Sequence, residues 1–163
     1  MTKEQKEFLH LHIIEQINYK TISETLNIPG TTLIAWYEEL KEERTRMVSI
    51  KSLMARKQLS IPFYDFYEWY FSRDRKCHYC GITEKEIDLL LKNGLLRTKR
   101  ISTRGRKLEL DRKEADLKYD NLENIVLSCY WCNNAKTDTF TCEEFLEVGK
   151  VFSNIWKKRL QLC

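Results

Sequence analysis

The chain has 163 residues and a formal net charge of +4, and 42% of its residues are hydrophobic. This composition supplies enough apolar residues for a packed core in one or two small domains, which excludes a globally disordered chain. No apolar run approaches the roughly 20 residues that span a bilayer, and the charged N-terminus lacks the apolar core of a signal peptide. A cytoplasmic protein with no membrane partner is therefore expected.

The charge is unevenly distributed. Residues 1–43 contain four lysines and eight glutamates, whereas residues 44–163 contain 24 basic and 16 acidic residues. The segments 44–58 and 92–107 carry arginines and lysines without any acidic residue. Basic runs of this density are typical of surfaces that bind a polyanion such as DNA, although a solvated surface explains them equally well.

The first forty-odd residues predict three helices. Apolar residues at helical spacing indicate the first, and Thr21 with Glu24 forms a capping box that would open a second helix over residues 22–26. Residues 27–30 include proline and glycine and predict a turn. A third helix is expected from there into residues 40–44.

Residues 18–40, with this short helix, turn and tryptophan-containing third helix, resemble the helix-turn-helix of transposases and repressors. In that family the third helix enters the major groove by its N-terminal residues, which here are Thr31 and Thr32, with Ala35 exposed beside them. Four glutamates at residues 38–43 oppose a strong contact with phosphate. The alternative is a three-helix module for dimerisation or packing.

The middle of the chain predicts two more helices. The basic segment 44–58 is expected to be a linker helix, and the aromatic run 63–71 a short core helix, with a strand as the alternative. Thr83 and Glu86 then form a capping box for a helix that ends at Asn93-Gly94.

The C-terminal half predicts short strands and helices. Residues 95–112 have β character, because two leucines alternate with Glu109 and Asp111 and so place both carboxylates on one face. Residues 125–127 predict a short buried strand, and a helix begins at Cys129. A last helix follows a further capping box. Its apolar stripe consists of Phe145, Val148, Phe152, Ile155, Trp156 and Leu160.

Four of the six cysteines form two C-x-x-C pairs. In a cytosolic chain this pattern indicates metal binding rather than disulfides, and zinc prefers about four such ligands in a tetrahedron. The long separation between the pairs implies that the ion joins the two ends of an inserted unit. The predicted zinc ligands are Cys77, Cys80, Cys129 and Cys132. His78, between the first pair, is not needed as a ligand.

The segment that these cysteines enclose carries further motifs. It contains LELDR at residues 108–112, then YDNLENIVL at residues 119–127, and then CYWCNNAK at residues 129–136. In this order, over residues 77–140, the motifs resemble those of the HNH, or ββα-metal, endonucleases. The resemblance implies metal-dependent cleavage of double-stranded DNA.

The resemblance also implies roles for individual residues. Asp111 and Asn133 would bind a catalytic Mg²⁺ or Mn²⁺, which takes oxygen ligands and stabilises the leaving oxygen. Asn124 would brace the loop, and Lys136 would contact phosphate. The family usually has a histidine after the metal-binding aspartate as general base, whereas this chain has Arg112, which cannot accept a proton.

Two residues are candidates for the missing proton acceptor. Glu109 shares a strand face with Asp111, and Tyr119 lies in the connecting loop, where its pKa of about 10 would have to fall. Arg112 itself is suited to stabilise charge on the phosphate in the transition state.

The predicted fold is α+β and mostly helical, in three parts. A helix-turn-helix domain at residues 1–43 precedes a basic linker with the aromatic helix at residues 44–72. The zinc-stabilised HNH nuclease domain, with a C-terminal helix, occupies residues 73–163. Besides Thr31 and Thr32, the expected DNA contacts lie in the second basic segment. They are Arg97, Lys99, Arg100, Arg104 and Arg106.

The leading hypothesis is a sequence-specific, metal-dependent DNA endonuclease of the restriction, homing or mobile-element type. Cutting both strands requires two centres, which a homodimer would supply. A non-catalytic zinc-containing DNA-binding protein is the alternative, and Arg112 is its motivation. A zinc-stapled protein-interaction module is a third hypothesis, which the two basic segments oppose.

Overall fold

The computed structural model describes residues 1–97 and 104–163. The chain forms two compact units, Met1–Gln58 and Leu59–Cys163. The boundary between them falls inside the predicted linker 44–72, whose basic half is a helix of the first unit and whose aromatic half is a helix of the second. Among the described helices, none combines the length and the apolar character needed to span a lipid bilayer.

The first unit is built from helices. They are α1 (Lys3–Leu9), continued by a π-helical turn (His10–Ile14), α2 (Tyr19–Leu26), α3 (Gly30–Glu39) and α4 (Lys41–Lys57). Their apolar faces meet in a core of fully buried side chains, as the helical spacing of these residues predicts. This core includes Phe8, Leu9, Ile22, Leu33 and Ile50.

Helix α2 begins earlier than the predicted capping box would place it. Asn18 is the N-cap instead of Thr21, and its side chain accepts a hydrogen bond from the Thr21 backbone N–H at 3.0 Å. Asparagine is a slightly stronger N-cap than threonine, and the extra turn brings the Tyr19 ring to 5.6 Å from that of Phe8. Asn27 ends α2 in the left-handed conformation, with φ of 52°, as the predicted turn requires.

The second unit combines helices with a two-stranded antiparallel sheet. It contains α5 (Phe63–Ser72), α6 (Glu84–Lys92), β1 (Glu109–Arg112), β2 (Ile125–Ser128), α7 (Tyr130–Lys136) and α8 (Cys142–Leu160). In the sheet, Glu109 of β1 pairs with Ser128 of β2, and Arg112 with Ile125. The α+β, mostly helical fold class is confirmed, and the aromatic segment is a helix rather than a strand.

Two predicted capping boxes are present in this unit. The Thr83 hydroxyl accepts from the Glu86 backbone, while the Glu86 carboxylate accepts from the Thr83 backbone. Thr141 and Glu144 form the same arrangement at the start of α8. Each box satisfies two N–H groups that a helix start otherwise leaves unpaired. The sequence predicts β structure over residues 95–112, and among the described residues of this range only β1 is a strand.

Helix α8 packs closely on the segment between Cys77 and Cys80. Gly149 permits this contact, because a Cβ atom there would lie 2.4 Å from the Tyr79 carbonyl oxygen. The Tyr79 ring also meets Phe145 edge-on, with centroids 5.1 Å apart. Phe145 and Trp156 of the predicted stripe are buried. The last helix therefore supports the first C-x-x-C segment from outside.

Candidate active site

The two C-x-x-C segments bring four buried thiols together. The Sγ atoms of Cys77, Cys80, Cys129 and Cys132 all lie within 4.8 Å of one another. The Cys80 and Cys129 Sγ atoms are 3.7 Å apart, near the separation of about 3.8 Å that a tetrahedron with zinc–sulfur bonds of about 2.3 Å requires. The cluster therefore fits a structural zinc with four protein ligands.

The ionisation of these thiols favours a cation in the cluster. The pKa of Cys77 lies well below its ordinary value, because Cys129, Cys132 and Cys80 hydrogen-bond to its thiolate. The pKa of Cys132 is raised, first by its hydrogen bond to Cys129. A buried thiolate at Cys77 thus opposes the ionisation of Cys129 and Cys132, and a dication removes that opposition.

The zinc ligands are held by the sheet and by α7. Cys129 is the N-cap of α7, and its sulfur accepts from the Cys132 backbone N–H at 3.4 Å. The His78 backbone N–H donates to the Leu127 carbonyl of β2 at 2.8 Å. The His78 ring has Nε2 3.6 Å from the Cys142 sulfur, outside the four-cysteine cluster. The cluster therefore adjoins both β2 and the first turn of α7.

The carboxylate of Asp111 is buried and held at both oxygens. It is 9% exposed. Its Oδ2 accepts a hydrogen bond from the Tyr79 hydroxyl at 2.9 Å, and its Oδ1 accepts from the Arg112 backbone N–H at 2.9 Å. Glu109 precedes it by two residues on β1 and so lies on the same strand face. The first C-x-x-C segment thereby contacts the predicted metal ligand.

Asn133, in the first turn of α7, reaches the same strand face. Its Nδ2 donates to Glu109 Oε2 at 2.8 Å. Glu109 also forms an ion pair with Arg104, with Nε 2.8 Å from Oε1 and Nη2 2.5 Å from Oε2. The two predicted metal ligands, Asp111 and Asn133, therefore both adjoin Glu109.

These two residues fit a hard divalent cation. Carboxylate and amide oxygens are the ligands that Mg²⁺ accepts, usually with water and substrate phosphate completing its shell. Same-face neighbours along a strand are about 7 Å apart. Asp111 and Asn133 are connected through Glu109, which Asn133 contacts directly and which precedes Asp111 by two residues on β1.

A solved structure is similar to most of this chain. The rare-cutting HNH restriction endonuclease PacI is similar to this chain, with a TM-score of 0.53, 25% sequence identity, and coverage of 71% of this chain and 79% of that one. This chain has an HNH endonuclease fold. The similarity and the four-cysteine cluster confirm the resemblance that the motifs indicated. No protein-family model and no curated protein matches the chain.

Within this HNH fold, Arg112 and Tyr119 contact each other and the backbone. Arg112 Nη1 donates to the Leu117 carbonyl at 2.8 Å, and its guanidinium carbon lies 5.2 Å from the Tyr119 ring centroid. The Tyr119 hydroxyl donates to the Leu110 carbonyl at 3.3 Å. Burial raises the pKa of Tyr119, which disfavours the deprotonated form that a general base requires.

Asn124 and Lys136 hold backbone segments of the HNH fold. Asn124 Oδ1 accepts from the Glu114 backbone N–H at 2.9 Å, and its Nδ2 donates to the Glu114 carbonyl at 3.3 Å. Lys136 is fully buried, and its Nζ donates to the Arg112 carbonyl at 3.0 Å. The predicted contact of Lys136 with phosphate is therefore not the one observed, since its ammonium is shielded from solvent and secures the end of β1.

The predicted DNA contacts differ in exposure. Exposed side chains belong to Thr31, Arg97 and Arg106. Intermediate exposure is found for Thr32 and Arg104. The described residues do not include Lys99 and Arg100. Arg104 is engaged by Glu109, so the structure gives it an internal partner that the charge pattern did not indicate.

Tyr79 is a site residue that the sequence reasoning missed. It lies inside the first C-x-x-C segment, and no spacing rule connects it with Asp111. Burial strongly raises the pKa of Tyr79, and the adjacent Asp111 charge raises it further, so its hydroxyl stays a donor. One signal in the sequence could have indicated its role: Tyr79 lies between two predicted zinc ligands. A tyrosine that is buried there would need a hydrogen-bond partner for its hydroxyl.

Proposed function

We propose that the chain is a metal-dependent DNA endonuclease that hydrolyses phosphodiester bonds. The observation that carries this proposal is the contact of Asn133 Nδ2 with Glu109 of β1, two residues from Asp111 and beside a four-cysteine cluster that fits zinc. The HNH fold supports the same reaction class, since the similar structure PacI is itself a restriction endonuclease.

Asp111 and Asn133 are the residues that would hold Mg²⁺ or Mn²⁺. When bound, such an ion neutralises the scissile phosphate and stabilises the leaving oxygen. The Tyr79 hydroxyl and the Arg112 backbone N–H hold the Asp111 carboxylate in one orientation. This preorganisation places the negative ligand before substrate arrives.

The contacts of Glu109 and Tyr119 disfavour both as the proton acceptor. Arg104 engages both carboxylate oxygens of Glu109, and Asn133 adds a third hydrogen bond. The Tyr119 hydroxyl keeps its proton because burial raises its pKa. Arg112 cannot act as a base, and its charge suits stabilisation of the phosphate in the transition state.

Sequence recognition is proposed for the first unit. Helix α2, the turn at Asn27 and helix α3 have the order of a helix-turn-helix, and Thr31 and Ala35 are exposed on α3. A recognition helix contacts base edges through such positions near its start. Protein variants at Thr31 should therefore change the preferred sequence more than the rate of cutting.

Plasmid cleavage tests the proposed reaction. The wild-type chain with Mg²⁺ or Mn²⁺ should nick supercoiled DNA, and Asp111→Ala should reduce nicking at least a hundredfold with zinc content unchanged. Asp116→Ala is the matched control, because Asp116 is an exposed acid of the following loop. No nicking by the wild type, or undiminished nicking by Asp111→Ala, would contradict the proposal.

Arg112 favours a second candidate function, that of a zinc-containing DNA-binding protein that does not cut. This candidate predicts salt-dependent retention of DNA in a gel shift and no cleavage with any divalent cation.

For the endonuclease, a homodimer is proposed as the form that cuts both strands, since each centre cuts one. Linear product formed without free nicked intermediate would support that form.

A further inference from the structure

We infer that Glu109 and Arg104 are positioning residues for the metal site, because their ion pair determines which atom of Asn133 faces the ion. This inference rests on the proposed function, in which Asn133 is a metal ligand. In this inference Glu109 affects the affinity of the site for the metal, and it does not accept a proton in the reaction.

The orientation of the Asn133 amide decides whether it can bind a cation. An asparagine side chain carries one acceptor oxygen and one donor nitrogen on the same carbon, and only the oxygen is a ligand for a hard cation. Nδ2 of Asn133 donates to Glu109 Oε2 at 2.8 Å. Since an ionised carboxylate only accepts hydrogen bonds, Glu109 selects the rotamer that turns Oδ1 away from it.

Arg104 keeps Glu109 in the position that this selection requires. Its guanidinium donates hydrogen bonds to both carboxylate oxygens of Glu109. The guanidinium carbon also lies 4.9 Å from the ring centroid of Tyr130, which is the first residue of α7. The Glu109 side chain is only 18% exposed, so solvent and salt screen this pair less than a surface pair. Arg104 thereby links β1 to the turn that carries Asn133.

The ion pair also removes a competing ligand. An unpaired carboxylate on this strand face would attract the same cation as Asp111, two residues away. With both Glu109 oxygens occupied by Arg104, Asp111 is left as the anionic ligand and Asn133 as the neutral one. The arrangement therefore favours one binding mode for the ion.

Manganese binding by the zinc-loaded full chain tests the inference without relying on catalysis. Free Mn²⁺ is measured by electron paramagnetic resonance for the wild type and for Glu109→Gln, whose side chain can also donate. The dissociation constant for Mn²⁺ should rise roughly 10- to 100-fold, as for other groups that orient metal ligands. Glu114→Gln, an exposed change in the next loop, should leave it unchanged, and zinc content should stay constant in both.

Arg104→Gln provides an independent check on the same pair. Adding Arg104→Gln to Glu109→Gln should weaken Mn²⁺ binding no further than Glu109→Gln alone, because both changes break one interaction. If the double variant lost as much Mn²⁺ binding free energy as the two single variants lose together, the inference would be overturned. Unchanged Mn²⁺ affinity in Glu109→Gln would also overturn it.

Cleavage kinetics separate positioning from base catalysis. Glu109→Gln should need more Mg²⁺ for half-maximal nicking but recover most of the wild-type rate at saturation. A loss of roughly a hundredfold or more at saturating Mg²⁺, with the acid limb of the pH profile abolished, would make Glu109 the base and overturn the inference. A wild type that binds Mn²⁺ without nicking overturns the proposed function alone. A wild type that binds no Mn²⁺ overturns both.

Discussion

At the scale of single residues, Tyr79 connects the first C-x-x-C segment with the proposed catalytic metal site. Its hydroxyl donates to Asp111 Oδ2 at 2.9 Å, and its raised pKa keeps it protonated at neutral pH. A hydrogen bond to an ionised group contributes about 1.5–3 kcal/mol. The same side chain packs on Phe145, so its ring and its hydroxyl have separable roles.

Tyr79→Phe should keep the ring contact and lose only the hydrogen bond. We expect kcat/KM for nicking to fall roughly 10- to 100-fold, because about 1.4 kcal/mol corresponds to a factor of ten. Zinc content should not change, and the melting temperature should fall by only several degrees, as the loss of one such hydrogen bond predicts. Tyr119→Phe is the control and should stay within a few-fold of wild type, since that hydroxyl contacts the Leu110 carbonyl. Equal losses in the two variants would contradict this assignment.

At the scale of elements, Glu84 joins α6 to the start of β1. Its Oε1 accepts from Arg75 Nη2 at 2.7 Å and from the Leu108 backbone N–H at 3.0 Å. Burial opposes the ionisation of Glu84, but Arg75 and the Leu108 N–H outweigh it, so the pKa of Glu84 lies below its ordinary value. Its side chain is 14% exposed, which limits screening of the pair with Arg75.

Glu84→Gln should lower the free energy of unfolding at pH 7 by roughly 1–3 kcal/mol. Because the folded-state pKa is depressed, the stabilisation by Glu84 is present above its unfolded pKa and is lost as the pH falls through the folded value. Urea denaturation of wild type and variant should therefore converge as the pH decreases below about 4. Glu143→Gln, an exposed change on α8, should show no such difference. A difference independent of pH would contradict the role of its charge.

At the scale of the whole molecule, the zinc cluster joins distant parts of the second unit. One pair of cysteines precedes α6, and the other pair opens α7. Structural zinc contributes about 10–16 kcal/mol in small domains, comparable with the entire stability of a typical domain. The first unit, Met1–Gln58, has its own buried core. The two units should therefore respond differently to loss of the metal.

Removing zinc with a chelator should unfold the second unit and abolish nicking, while part of the helical circular dichroism remains from the first unit. Added zinc should restore both signals before Mg²⁺ restores cleavage. Cys132→Ser should lose the zinc, whereas Cys163→Ser should keep it, because Cys163 is an exposed cysteine outside the cluster. Unchanged cleavage after measured zinc release would contradict a structural role for the ion.

Local patterns account for the features that were predictable. The C-x-x-C pairs and the capping boxes at Thr83 and Thr141 depend on residues three positions apart, so their spacing alone specifies them. The start of α2 was predicted less well, because Asn18 and Thr21 are both good caps; the helix that begins after Asn18 also lets Tyr19 pack on Phe8. The zinc ligands and the order of the HNH elements could therefore be predicted before the fold.

Local sequence patterns were sufficient to predict the four-cysteine cluster, the α+β class and the strand-helix order around Asp111. The burial of Lys136 and the hydrogen-bond partners of Tyr79 and Glu109 became known from the folded structure. Tyr79 is separated from Asp111 by 32 residues, and Glu109 from Asn133 by 24. Polar groups at such separations are paired by how the elements pack, because each buried donor must find whichever acceptor the fold places beside it.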